Sequence, residues 1–179
     1  SFMDECYYRR PRIDKELLEQ YHEGLICCSA CLGGELPQKI MMGMSGEDAA
    51  LQDGASAYSS EARGERWGEA EETIEWFKGV FGEDYYIEIQ RHQTTKPGAD
   101  QHVYQVQREV NPVLVELAHK HGVKVIATND VHFVDEEHAE AHDRLICLGT
   151  SKDFNDPKRM LYSKQEWMKT TAEMNALFD

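Results

Sequence analysis

Three glycines, Gly24, Gly82 and Gly122, each close a stretch of helical spacing, and each is followed by a short apolar run. The runs are Leu25 to Ala30, Tyr85 to Arg91, and the segment that begins at Val125. Glycine ends a helix because it accepts the left-handed backbone of a C-terminal cap at no steric cost. Short apolar runs between longer helical stretches read as strands of a parallel sheet, buried on both faces. In the second run, Tyr86, Glu88 and Gln90 fall on one face and Tyr85, Ile87 and Ile89 on the other. Helices alternating with strands imply βαβ units, so the fold class is α/β. Three strands are too few to close a barrel.

The helices have readable boundaries. Asp14 is a good N-cap for residues 14–23, and Ile13 is placed to staple onto Leu18. Ala70, Thr73, Ile74, Phe77 and Phe81 give a second helical stripe. A third helix runs from about Gln101 to His121, and Pro112 inside it predicts a kink or a restart capped by Asn111. Glu136 to Cys147 is a fourth helix. Ser163-x-x-Glu166 and Thr170-x-x-Glu173 have the spacing of capping boxes. Thirteen of the 24 residues from 43 to 66 are Gly, Ser or Ala, so this segment is expected to be a flexible loop.

The run Val125-Ile126-Ala127-Thr128-Asn129 ends in Asp130-Val131-His132. Strand alternation would turn Asp130 and His132 to the same side. A carboxylate and an imidazole at the carboxyl end of a parallel strand occupy the usual position of metals and catalytic groups in α/β folds. Cys31 follows the end of another strand, ahead of Gly33-Gly34, whose pairing signals a tight turn or a close backbone approach. Cys31, Asp130 and His132 are therefore the candidate metal ligands, expected to converge on one rim of the sheet. The plainer alternative is an Asp that caps a turn beside a surface His. His92 sits at a third strand end. His138 and His142 are four apart on a helix but lack the Glu of the zinc-protease pattern and read as solvated. His119 and His121 suit a helix C-terminus. Cys27 and Cys28 read as core. There is no phosphate loop, nucleophile elbow or dinucleotide fingerprint.

A net charge of −14, from 33 acidic and 19 basic side chains, argues against a general nucleic-acid-binding surface. Arg9, Arg10 and Arg12 form one local basic patch, read as a solvated approach to the first helix. Five cysteines without framework spacing point to a reducing compartment. With no membrane-length apolar stretch and no signal-peptide pattern, the expected location is the cytoplasm. A length of 179 residues suits one domain or a piece of a larger one.

Several segments taken together resemble one family. They are Tyr8-Arg9-Arg10-Pro11-Arg12-Ile13-Asp14, Ser29-Ala30-Cys31-Leu32-Gly33-Gly34-Glu35, the stretch Phe81 to His92, Ala127-Thr128-Asn129-Asp130-Val131-His132, and Glu140-Ala141-His142-Asp143. In this order they resemble the polymerase-and-histidinol-phosphatase (PHP) domain of bacterial replicative DNA polymerase III alpha subunits. The resemblance implies a distorted seven-stranded (β/α) barrel with a site for three metals (zinc, manganese or iron). It assigns Cys31, Asp130 and His132 among the ligands. Other ligand motifs of the family would lie upstream of Ser1, and the polymerase palm with its magnesium beyond Asp179. Residues 1–179 are thus expected to be the carboxyl-terminal part of a PHP domain.

The resemblance also implies function. A parent polymerase would bind DNA and other replicase subunits, and its PHP site would hydrolyse phosphoesters as a 3′–5′ proofreading nuclease, with Arg91 or His92 steadying a phosphate oxygen. Two alternatives stand beside it: a structural module that docks the proofreading subunit, and a free-standing PHP phosphatase. By itself the chain is expected to be inactive and, with open sheet edges, prone to self-association.

Overall fold

The computed structural model describes residues 7–8, 10–44 and 60–178, with side chains over 12–44 and 67–178. Strands β1 (Tyr7–Tyr8) and β2 (Arg10–Pro11) form a short antiparallel ladder. They are followed by α1 (Lys15–Tyr21), β3 (Cys27–Cys28), α2 (Glu35–Met44), α3 (Ser60–Phe81), β4 (Tyr85–Ile89), α4 (His102–His121), β5 (Lys124–Ala127), α5 (Ala139–Thr150) and α6 (Thr171–Phe178). The α/β expectation holds: β3, β4 and β5 form one parallel sheet in chain order, with helices between them. Among the described residues, β3 and β5 each pair on one side only, so the sheet is open, as part of a (β/α) barrel would be.

Each strand is shorter than its apolar run. Leu25 and Ile26 are half or more exposed and stay outside β3, because no described neighbour covers them. The core lies between the sheet and helices α2, α3 and α4. It joins Leu36 and Ile40, Ala70 and Ile74, Tyr85 and Ile87, and Val110, Leu114 and Leu117. Tyr85 and Ile87 are buried and Ile89 packs against this core, as the alternation requires. Aromatic rings reinforce the junction: Phe77 stacks on Tyr85 at 5.3 Å.

Four boundaries differ from the sequence reading. Asp14 caps α1, its carboxylate accepting from the Leu17 N–H at 2.9 Å, but Ile13 remains 58% exposed while Leu18 packs inward. The segment 43–66 is helical at both described ends, closing α2 and opening α3; its middle, 45–59, lies outside the described residues. Helix α4 runs unbroken through Pro112, and Asn111 is not a cap: its amide donates to the Gln90 carbonyl at 2.8 Å, tying the helix to the end of β4. Gly122, at φ +62, closes α4 as expected, its N–H donating to Ala118 and His119. The fourth helix begins as a single 3-10 turn over Glu136–His138 and continues as α5.

No helix among the described residues is long and apolar enough to cross a membrane. Leu114, 2% exposed, sits where α4 meets the other core elements. Leu114→Ala should lower stability by about 2–5 kcal/mol through lost burial and the cavity left behind, read as a shift in the urea midpoint.

Candidate functional site

Cys31 is positioned by a turn that only its glycine permits. The parallel pairing of β3 with β4 extends one residue past Cys28. The Ser29 N–H donates to the Tyr86 carbonyl at 3.0 Å, and the Glu88 N–H to the Ser29 hydroxyl at 2.9 Å. Ala30 then adopts φ +64, reversing the chain, and the Gly34 N–H closes onto the Cys31 carbonyl at 2.9 Å. A Cβ on Gly34 would lie 2.1 Å from the Ser29 carbonyl oxygen, so no other residue fits. The paired glycines thus mark a close backbone approach, and it falls on Gly34; Gly33 would meet only the Cys31 sulfur, at 3.7 Å.

The end of β4 is fixed by a buried amide. Gln107 is 1% exposed and His92 3%. The His92 backbone N–H donates to Gln107 Oε1 at 2.7 Å, which leaves the Gln107 amide nitrogen to donate to His92 Nδ1 at 3.1 Å. With Nδ1 an acceptor, Nε2 carries the proton and donates to the Asn129 carbonyl at 3.3 Å. Burial holds His92 below its ordinary pKa, with Glu166 opposing the shift. His92 therefore reaches the candidate site as a neutral ring with both nitrogens engaged.

Asp130 and His132 do come together, their carboxylate oxygen and Nε2 lying 3.5 Å apart. The cause is not strand alternation, since β5 stops at Ala127. Asp130 has φ +45, a left-handed turn that folds the chain back. Two anchors hold this turn. The buried Asn129 amide donates to the Gln165 and Trp167 carbonyls at 2.8 and 2.7 Å, and the His132 N–H donates to the Glu166 carbonyl at 2.7 Å.

Cys31 and Asp130 line one cavity of about 150 Å³, together with His92, Asp100, Tyr162 and Glu166. Glu166 is 2% exposed and accepts from the Ser163 N–H and hydroxyl and from the Gln165 N–H. Burial brings the nearby Lys169 down to about 8, with Glu166 opposing. Ser163-x-x-Glu166 has the hydrogen bonds of a capping box but starts no helix; it closes a turn against the cavity. Thr170-x-x-Glu173 does cap a helix, α6. Reading the first box as a helix start hid Glu166, and nothing in the spacing marked Asp100. Among the described residues, no three of the His, Cys, Asp and Glu side chains form a group that could hold a metal ion.

The other candidates separate. Arg91 leaves the cavity: its guanidinium donates to the Leu177 carbonyl and lies 5.2 Å over the Phe178 ring. His142 stacks edge-on against His132 at 5.3 Å and against Tyr162 at 5.1 Å, whereas His138 stays exposed. His119 and His121 lie in the last turn of α4, as expected; His121 also bridges Glu71 and Glu75 of α3, and His119 is exposed. Cys27 packs against the core, burial raising its thiol to about 11. Cys28 is exposed, contrary to the reading of both as core, because it lies on the face of β3 away from that cluster.

The PHP domain model matches residues 1–92. The chain belongs to the PHP domain family. Asp130 and His132 lie outside the matched stretch. The chain is 38% identical, over its whole length, to the DNA polymerase III subunit alpha of Borreliella burgdorferi. It is 36% identical over 99% of its length to the subunits of the same name from Treponema pallidum and Campylobacter jejuni. It spans 13% of the length of each of these relatives. The PHP resemblance read from the motifs is thus shown by the family match over residues 1–92 and by these relatives along the rest of the chain.

The buried, neutral His92 gives a pH signature. Its unfolded state titrates near 6.5 and its folded state lower, so its contribution is fully present above about pH 6.5 and is lost as pH falls. Unfolding free energy should fall between pH 7.5 and 5.5 by up to about 1.4 kcal/mol per unit, and His92→Gln should flatten the slope; urea titrations at the two pH values check it.

Proposed function

We propose that this PHP chain is part of a DNA-directed DNA polymerase and contributes ligands to a metal-dependent phosphoesterase site acting as a 3′–5′ proofreading exonuclease. The single observation that carries the reading is the meeting of Cys31 and Asp130 on one cavity, with His132 3.5 Å from Asp130. A thiol, a carboxylate and an imidazole suit zinc, manganese or iron. No described trio completes a centre, so these three are assigned as a partial set, to be joined by ligands from elsewhere in the PHP domain.

When bound, divalent metals would supply an acidified water and a clamp on the scissile phosphate. The chain's own residues do the positioning. The Asn129 anchors fix the turn carrying Asp130, and the Gly34 turn fixes Cys31. His92, with both nitrogens occupied, shapes the wall instead of moving a proton. Arg91 points away and is not assigned to phosphate. In the parent polymerase the partners would be DNA and other replicase subunits in the cytoplasm, with magnesium at a separate polymerase site.

A second reading, a structural module that docks the proofreading subunit and keeps only a vestigial site, draws support from the described residues, no three of which are grouped closely enough to hold a metal ion. The two divide on one experiment. In the complete amino-terminal domain of the polymerase, bound metal measured by mass spectrometry should fall on Asp130→Asn, together with degradation of single-stranded DNA. An unchanged metal content and no nuclease activity in the parent domain favour the structural module. The 179-residue chain alone should extend no primer and degrade little DNA; robust activity of either kind would contradict the assignment.

A further inference from the structure

Helix α4 presents a second surface that the phosphoesterase reading does not use. Tyr104, Arg108, Pro112, Val115 and His119 recur every three or four residues and so share one face of the helix. This face and the end of β4 line a groove of about 670 Å³, and none of its lining residues touches the acidic cavity. Its apolar lining comes from Ile89, Pro112 and Val115 and from the Tyr104 and Phe178 rings. Arg91, Arg108 and His119 stand along it, and Glu116 is the one acidic side chain in the lining. In a chain of net charge −14 such a local excess of donors stands out. Among the described residues the Arg108 guanidinium has no hydrogen bond or ion pair, and Arg91 spends one nitrogen on the Leu177 carbonyl.

We propose that this groove docks an extended acidic peptide segment of another protein, its carboxylates on Arg91 and Arg108 and its aliphatic side chains on Ile89, Pro112 and Val115. At a rise of about 1.5 Å per residue, Arg108 and His119 lie roughly 16 Å apart along the helix. One small anion cannot reach both ends, whereas a short extended segment can. Arginine is suited to this task because its planar fork takes a carboxylate through two parallel hydrogen bonds. Single-stranded nucleic acid fits less well: it needs successive aromatic platforms for its bases, and of the two rings in the lining Phe178 already carries Arg91 on its face, which leaves Tyr104 alone. The acidic remainder of the chain also repels a polyanion more than a segment with a few carboxylates.

The test uses a fluorescent synthetic peptide of alternating Asp, Leu, Glu and Val, its Asn/Gln counterpart, and an oligothymidine of equal length, each titrated into the intact chain. The acidic peptide should bind, weaken as salt rises, and move amide resonances at Tyr104, Arg108 and Val115. Arg108→Gln should weaken it, and Arg108→Glu should weaken it by about tenfold or more with an unchanged thermal midpoint, because an exposed helical side chain carries little of the fold. Equal binding of the neutral counterpart, resonance shifts outside the groove, or indifference to both substitutions would overturn the proposal. Tighter binding of oligothymidine that displaces the peptide would overturn it in favour of a nucleic-acid surface.

Discussion

The paired hydrogen bonds between Gln107 and His92 anchor one wall of the acidic cavity and begin the relay that fixes the turn at Asp130. Gln107 lies within α4 and His92 just past β4, so this pair fixes the helix against the strand end. From His92 the relay passes to the Asn129 carbonyl, and the Asn129 amide carries it to the Gln165 and Trp167 carbonyls. Four separate segments are thereby locked by one buried polar chain. Gln107, His92 and Asn129 are buried, so removing one leaves its neighbour unpaired at a cost of about 1–3 kcal/mol, several times the net gain of a typical exposed bond. Core burial holds the sheet to its helices, but this relay decides where Asp130 turns.

Alternation at the end of β4 divides the labour of the two neighbours that follow it. His92 turns inward, where burial favours its neutral ring, whereas Arg91 turns to the opposite groove and sets its guanidinium against the Leu177 carbonyl and the Phe178 ring. Acidic groups gather on one side of this divide, at Asp100, Asp130 and Glu166, and arginines on the other, at Arg91 and Arg108. A cavity collecting carboxylates is suited to cations, while a groove with unpaired guanidinium is suited to anions. The PHP chain thus separates two opposite electrostatic environments at two consecutive residues, Arg91 and His92, just past β4.

Much of this was legible in the sequence. Apolar runs behind Gly24, Gly82 and Gly122 located all three parallel strands, and the paired glycines after Cys31 announced a backbone approach. The strands came out shorter because exposure of Leu25 and Ile26 depends on neighbours that a local pattern does not contain. Asp130 and His132 met as expected but through a left-handed turn, a conformation set by tertiary anchors 35 or more residues away in sequence, such as Gln165. Helix α2 is masked in the sequence because Gly33-Gly34 carries a turn signal directly before the helix starts at Glu35. Pro112 leaves α4 unbroken on its exposed side, and the Asn111 amide ties the helix to the residue after β4. Glu166 was hidden because identical spacing serves a helix start at Thr170 and a tight turn at Ser163.

The account stands or falls on whether Cys31 shares a metal with the Asp130–His132 pair. Cobalt(II) added to the complete PHP domain reports this directly, because a thiolate ligand gives a sulfur-to-cobalt charge-transfer absorption that carboxylate and imidazole do not. The account predicts that the band appears, disappears in Cys31→Ser and survives in Cys28→Ser, whose thiol is exposed three residues away. A band indifferent to Cys31→Ser, or one lost in Cys28→Ser instead, would contradict it.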